Sequence, residues 1–191
     1  MPQPGFQAFT VKYTGSANRI ITQISITAAY DPANPPTPTP KLVPTSALWD
    51  TGATRSVITP SVAKSLGLIS TGSDVVNHFG GSSLKPTYLV NVYLPNGVAI
   101  AGVVVTECEE TAQFGFILGM EIITKGDFSI TNINNQTCVS FRYPSMKEID
   151  YVKEANHAQF AGVGRNDPCP CGKQDASGKP IKFKKCHGSP V

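Results

Sequence analysis

Two groups of residues in this sequence have types and spacings that do chemistry. The first is Leu48-Trp49-Asp50-Thr51-Gly52-Ala53-Thr54, a carboxylate at the end of an apolar run, followed by a small hydroxyl residue and a glycine. Two carboxylates about a hydrogen bond apart share one proton, because two like charges that close cannot both ionise. The ionised member takes a proton from a bound water, and the protonated member donates to a scissile carbonyl. Such a carboxylate must sit on a tight loop after a buried strand. A neighbouring hydroxyl can brace that loop, and glycine lets a second backbone approach. The second group is Cys169-Pro170-Cys171 with Cys186-His187. Three sulfurs and one imidazole are the donor set of a closed tetrahedral zinc site. The two cysteines of the Cys-x-Cys pair are too close in sequence for an easy mutual disulfide, and nearby lysines favour thiolates.

The elements that must position these groups follow from composition and pattern. The chain has 191 residues, 40% of them hydrophobic and 15% charged, with Gly 17 and Pro 16. That is enough apolar material for a packed core, in short runs between turn formers, which favours many short strands over long helices. Strands are expected at Phe6–Tyr13 and Arg19–Tyr30, joined by a turn at Gly15-Ser16. Residues Asp31–Pro44 hold six prolines and are expected to form an extended loop outside any sheet. Thr45–Trp49 leads into Asp50, Ser56–Ile58 continues as a strand, and Thr59-Pro60 caps a short helix closed by Gly67. Hairpins are expected around Gly80-Gly81-Ser82-Ser83, Pro95-Asn96-Gly97 and Asn134-Asn135. Phe114–Leu118 reads as a strand ending at Gly119, and Met120–Thr124 as one or two helical turns. Ser145–Phe160 carries apolar residues at helical spacing, and Ala161-Gly162-Val163-Gly164 is a hinge before the cysteine-rich tail. The expected division is a β-domain at 1–143, a connecting helix and linker at 144–162, and a metal-binding tail at 163–191.

The charge of +3 is uneven. Arg165, Lys173, Lys179, Lys182, Lys184 and Lys185 against Asp167 and Asp175 give the tail +4 and leave the remainder at −1. The tail therefore suits an acidic partner better than the body does. No leader-like apolar segment opens the sequence and no run approaches a membrane span, so the expected setting is cytoplasmic, without membrane contact. The five cysteines then read as thiols or metal ligands, with Cys108 and Cys138 as small hydrophobes of strands. Phosphate loops with a lysine are absent. A Ser-His-Asp site would have to draw on three histidines, one of which is His187.

From about Arg19 to Tyr143 the chain resembles the retropepsin-like aspartic proteases, on Asp50-Thr51-Gly52, the glycine-tipped hairpin after it, and Ile117-Leu118-Gly119. The resemblance implies a mainly β fold, a closed retropepsin-like barrel with short helices. It makes Asp50 the catalytic aspartate, threads Ile117-Leu118-Gly119 under the loop that carries it, and makes Thr51 a reciprocal brace between subunits. Gly52 and Ala53 would line the floor, and His78, Phe79, Gly80 and Gly81 would form a flap over the substrate. The other aspartates, before Pro32, Val75, Phe128, Tyr151, Pro168 and Ala176, do not repeat the motif. The second carboxylate must then come from a second copy across a twofold axis, making the implied enzyme a homodimeric endopeptidase. The competing expectation is an inactive dimer of the same fold serving as a binding or adaptor module.

The tail, Gly164-Arg165-Asn166-Asp167-Pro168-Cys169-Pro170-Cys171-Gly172 and Lys184-Lys185-Cys186-His187-Gly188, resembles the SEC-C zinc motif. The resemblance assigns structural zinc to Cys169, Cys171, Cys186 and His187, and implies either docking to a chaperone, ribosome or nucleic acid or a C-terminal staple for the fold. It departs from the motif in a longer stretch, Lys173–Lys182, between the ligand pairs.

Overall fold

A computed structural model describes residues 5–78 and 81–188, the side chains of 77, 78, 96 and 156–159 excepted. It forms two compact units, Met1–Met146 and Lys147–Val191.

The first unit is mainly β. Its strands are β1 (Gln7–Lys12), β2 (Ile21–Ala28), β3 (Val43–Trp49), β4 (Val57–Ile58), β5 (Gly72–His78), β6 (Gly81–Tyr93), β7 (Ala99–Glu107), β8 (Phe116–Leu118), β9 (Asp127–Thr131) and β10 (Cys138–Tyr143). Two short helices, α1 (Pro60–Ser65) and α2 (Met120–Ile123), interrupt them. The order β2-β3-β8-β4-β7-β6 returns on itself through a β2–β6 pairing, which closes a six-strand barrel; β5 lies outside the ring, paired to β6. Closure removes the unpaired edges an open sheet would expose. The barrel is filled by inward residues of alternating strands, among them Ile24, Ile26, Ala47, Val90, Val92, Val105, Phe116 and Leu118.

The first two strands form as expected, but they are not paired with each other. The chain does turn at Gly15, whose φ is +96°, but β1 pairs with β10, which pairs with β9, in a separate three-stranded sheet. The cause is an aromatic cluster. Phe9 of β1 packs on Trp49 and Phe141, and Trp49 stacks on Phe128 at 5.0 Å and 3°. Burying those rings outweighs local hairpin pairing. Trp49 is thus core, and its indole N–H donates to Thr22 Oγ1 at 2.9 Å.

Two further expectations shift. Pro44 lies inside β3, opposite Ser25. It is tolerated because β8, the neighbour on the other side, reaches only Ala47–Trp49. Thr59 precedes α1 as expected, but its hydroxyl makes no capping bond and instead meets Ser61 Oγ and Gly115 O. The hairpin turns hold: Gly97 has φ +77°, and Asn134 and Asn135 have φ +53° and +60°, a region asparagine tolerates best among residues with a side chain.

In the second unit the helix is shorter than expected. α3 runs Tyr151–Gln159, because Asp150 accepts the amides of Val152 and Lys153 and so fixes the start. Ser145 and Met146 are held back by Asp127, which accepts the Ser145 hydroxyl at 2.5 Å and the Met146 amide at 3.0 Å. Asp127 also pairs with Arg142. The Ser145 hydrogen bond, together with the Met146 amide and Arg142, outweighs burial and holds the Asp127 carboxyl down at about 2. A depressed carboxylate gives stability that is full above about pH 4 and is lost as pH falls toward 2. Asp127→Asn is expected to lower the melting temperature by several degrees at neutral pH. It should also flatten the loss of stability between pH 4 and pH 2 in thermal melts; a wild-type-like acid limb would remove Asp127 from this role. Among the described residues no helix is long and apolar enough to cross a membrane.

Candidate active site and metal centre

β3 delivers Asp50 at its end, and β8 runs parallel beside it with Trp49 opposite Leu118. The Asp50 amide donates to Leu118 O at 3.0 Å, so the carboxylate-bearing residue hangs from the second strand. The Gly52 amide donates to Asp50 Oδ1 at 2.8 Å, and the Ala53 amide to Asp50 O at 3.2 Å, which tightens the loop. The Met120 amide donates to Ala53 O at 2.8 Å, tying the far side of the loop to α2. Asp50 and Ala53 are half-buried, while Thr51 and Gly52 are exposed. The two sequence segments expected to meet, Asp50–Ala53 and Ile117–Gly119, do meet.

Each of the six other aspartates is engaged elsewhere. Asp31 turns its own loop, Asp74 accepts the Val75 amide, Asp127 holds Arg142, and Asp150 starts α3. Asp167 accepts the Gly164 amide, and Asp175 those of Ser177 and Lys179.

A brace beneath the loop escaped sequence reasoning. Ser56 is fully buried. Its hydroxyl accepts the Gly119 amide at 3.0 Å, and its own amide donates to Glu121 Oε1 at 2.6 Å. Glu121 Oε2 is buried without a hydrogen-bond partner among the described residues. The only signal was an acidic residue two positions after the glycine, at the start of a short helix. Gly119 is required here by contact, since its φ of −88° is ordinary. A Cβ would lie 2.5 Å from the Arg55 carbonyl carbon and 2.6 Å from Glu121 Oε2. Gly119→Ala should therefore destabilise the first unit by about 1–3 kcal/mol in urea melts. Unchanged stability would show that the loop and α2 are not in rigid contact.

The hairpin expected to act as a flap pairs as β5 and β6, with His78 opposite Gly81, whose φ is +130°. Phe79, Gly80 and the His78 side chain lie outside the described residues. Val75 and Leu84 stand directly opposite each other and are 55% and 69% exposed, an apolar pair beyond the barrel. Asp74 of β5 faces Arg55 of the Asp50 loop at 3.8 Å; both are well exposed, so this pair contributes little to stability.

In the second unit the chain brings Cys169, Cys171, Cys186 and His187 together with all four ligand atoms within 4.8 Å of one another. The Sγ–Sγ separations are 3.4 Å (Cys169 to Cys171) and 3.7 Å (Cys171 to Cys186). His187 Nδ1 is 3.2 Å from Cys169 Sγ and 3.4 Å from Cys186 Sγ. Zinc–sulfur bonds of about 2.3 Å and zinc–nitrogen bonds of about 2.0 Å in a tetrahedron give ligand edges of about 3.5–3.8 Å. The cluster therefore fits a metal such as zinc. Burial pushes the Cys169 thiol up, but hydrogen bonds from the Cys171 amide and the His187 and Cys171 side chains outweigh it, bringing Cys169 to about 6. Burial and the neighbouring Cys171 and Cys169 push Cys186 up to about 11. The longer stretch 173–182 folds back as a hairpin-like loop. Asp175 holds its turn, and the Ile181 amide donates to Lys173 O at 3.0 Å. The extra residues thus leave the ligands undisturbed. Cys108 lies just past β7 and is half-buried; burial raises its thiol to about 11, so it is a poor nucleophile at neutral pH. Cys138 is half-buried within β10.

Comparison with known proteins finds similarity in two parts of the chain. Residues 41–122 match a family model described as aspartyl protease. The match lies within the first unit, which is mainly β and closed as a six-strand barrel. Among solved structures, the chain is similar to a retropepsin-like aspartic protease from Rickettsia conorii, at 11% identity and a TM-score of 0.46, over 75% of this chain and 98% of that one. A short stretch is similar to protein translocase subunit SecA: 47% identical over 51 residues in Solidesulfovibrio magneticus and 69% over 32 residues in Nocardioides sp.. These alignments cover 27% and 17% of this chain, and only 5% and 3% of the SecA proteins.

Proposed function

We propose that this chain is an aspartic endopeptidase of retropepsin type that works as a homodimer, each copy supplying one Asp50. The observation that carries the reading is the suspension of Asp50 between β3 and β8, with every other aspartate engaged elsewhere. In the dimer the two Asp50 carboxylates share a proton. One takes a proton from water as that water attacks the peptide carbonyl, and the other protonates the carbonyl oxygen. Thr51, exposed beside Asp50, braces the partner's loop, and Gly52 and Ala53 form the floor under the peptide. The β5–β6 hairpin, paired as far as His78 and Gly81, closes over it and excludes water. The exposed Val75–Leu84 pair supports apolar contact with the substrate from that side.

The tail holds zinc through Cys169, Cys171, Cys186 and His187, and its lysines dock an acidic partner, a protein or nucleic acid. The metal is structural: four protein donors leave no open position for substrate. The test of the peptidase reading is cleavage that rises with dimer concentration and disappears in Asp50→Asn.

A further inference from the structure

A metal-bound histidine is ordinarily aimed by its second ring nitrogen, which donates to a carboxylate or a backbone carbonyl. His187 presents Nδ1 to the cysteines. Among the described residues its other ring nitrogen meets no such acceptor. The imidazole instead lies against the ring of Phe160, with centroids 4.8 Å apart at 36°. Phe160 follows α3 directly and is only 8% exposed. It also packs on Phe183 at 5.4 Å and 58°. Phe183 in turn opens a single helical turn, Phe183–Lys185, that leads directly into Cys186. The chain reverses just after Phe160: the Val163 amide donates to Phe160 O at 3.1 Å, and Gly162 has φ +88°. That reversal brings Phe160 back over the cluster.

We infer that Phe160 is the positioning residue of the metal centre, holding the His187 imidazole by ring contact where other sites use a hydrogen bond. The segment with α3, expected from sequence to be a connector, therefore supplies a wall of the centre. An imidazole left unaimed keeps its donor but loses its preset direction, so the cost falls on metal affinity and ligand geometry. The aromatic face matters as well as bulk, because offset or tilted ring pairs contribute beyond the area they bury.

The test uses the full chain loaded with zinc or cobalt. Phe160→Leu keeps an apolar side chain of similar size, Phe160→Tyr keeps the ring, and Ala155→Gly weakens α3 while leaving Phe160 in place. Chelator competition should show Phe160→Leu binding zinc about tenfold more weakly or worse, with Phe160→Tyr within about threefold of wild type. Cobalt-loaded Phe160→Leu should show visible bands shifted toward those of His187→Ala, reporting loss of the imidazole from the ligand set. Wild-type zinc affinity in Phe160→Leu would overturn the inference. So would a Phe160→Tyr as weak as Phe160→Leu, or an Ala155→Gly that weakens zinc equally, since the helix and not the ring would then be responsible.

Discussion

Asp50→Asn protein is expected to remain a dimer and to cleave at least about 10²–10⁴-fold more slowly than wild type, the range carried by a positioned acid–base group. Asparagine keeps the size of the side chain and an oxygen for the Gly52 amide, which Asp50 Oδ1 accepts at 2.8 Å. The amide of residue 50 still donates to Leu118 O, so the loop has no reason to move. What asparagine lacks is the ability to accept a proton from water. The twofold arrangement sharpens the test. Equal amounts of mutant and wild-type chains, allowed to exchange, leave about one quarter of dimers with two carboxylates, and activity should fall toward that fraction. The wild-type rate should pass through a maximum on the acidic side, because the reaction needs one carboxylate with its proton and one without. The depressed Asp127 carboxyl suits such conditions, since its contribution to the fold survives until pH approaches 2. Persistent cleavage by pure Asp50→Asn protein would end the aspartic mechanism. A wild-type dimer that cleaves nothing, and whose cellular role survives Asp50→Asn, would mark the fold as a binding module.

The second large effect concerns the metal. Wild-type protein purified without chelator is expected to hold about one zinc per chain, and Cys169→Ser to hold a small fraction of that. Cys169 is the most buried of the four ligands, at 4% exposure, and its amide also donates to Ile181 O at 2.8 Å. A serine hydroxyl does not ionise at neutral pH and cannot replace the thiolate. Metal binding is coupled to folding in small units of this kind, so the second unit should become protease-sensitive when the site is broken. The barrel should keep its own thermal transition, because among the described residues its core runs from Phe9 to Phe141 without a residue of the tail. Metal analysis finding no zinc in the wild type, or a Cys169→Ser protein in which the barrel also unfolds, would contradict this account.

The sequence alone determined the parts whose physics is local. A carboxylate after an apolar strand, turn residues at 97, 134 and 135, and four close-spaced donors each announce their own structure within a few residues. Even the meeting of Asp50 with Ile117-Leu118-Gly119 was legible, through resemblance to a family whose motifs are short and contiguous. Tertiary structure decided what depends on residues far apart. Whether β1 would join β2 or β10 rested on where Phe9 could bury its ring, against Trp49 and Phe141, and no local pattern carries that choice. The Ser56–Glu121 bond spans 65 positions, and the glutamate looks in sequence like any acidic residue opening a helix. Phe160 looked like the last apolar residue of a helical stripe until the turn at Gly162 laid it on His187. The reason is the same in each case. Hydrogen-bonding preference and backbone propensity act over a few residues and are written in order along the chain. Burial of a large side chain depends on which surfaces the folded chain brings near it, and the fold alone supplies them.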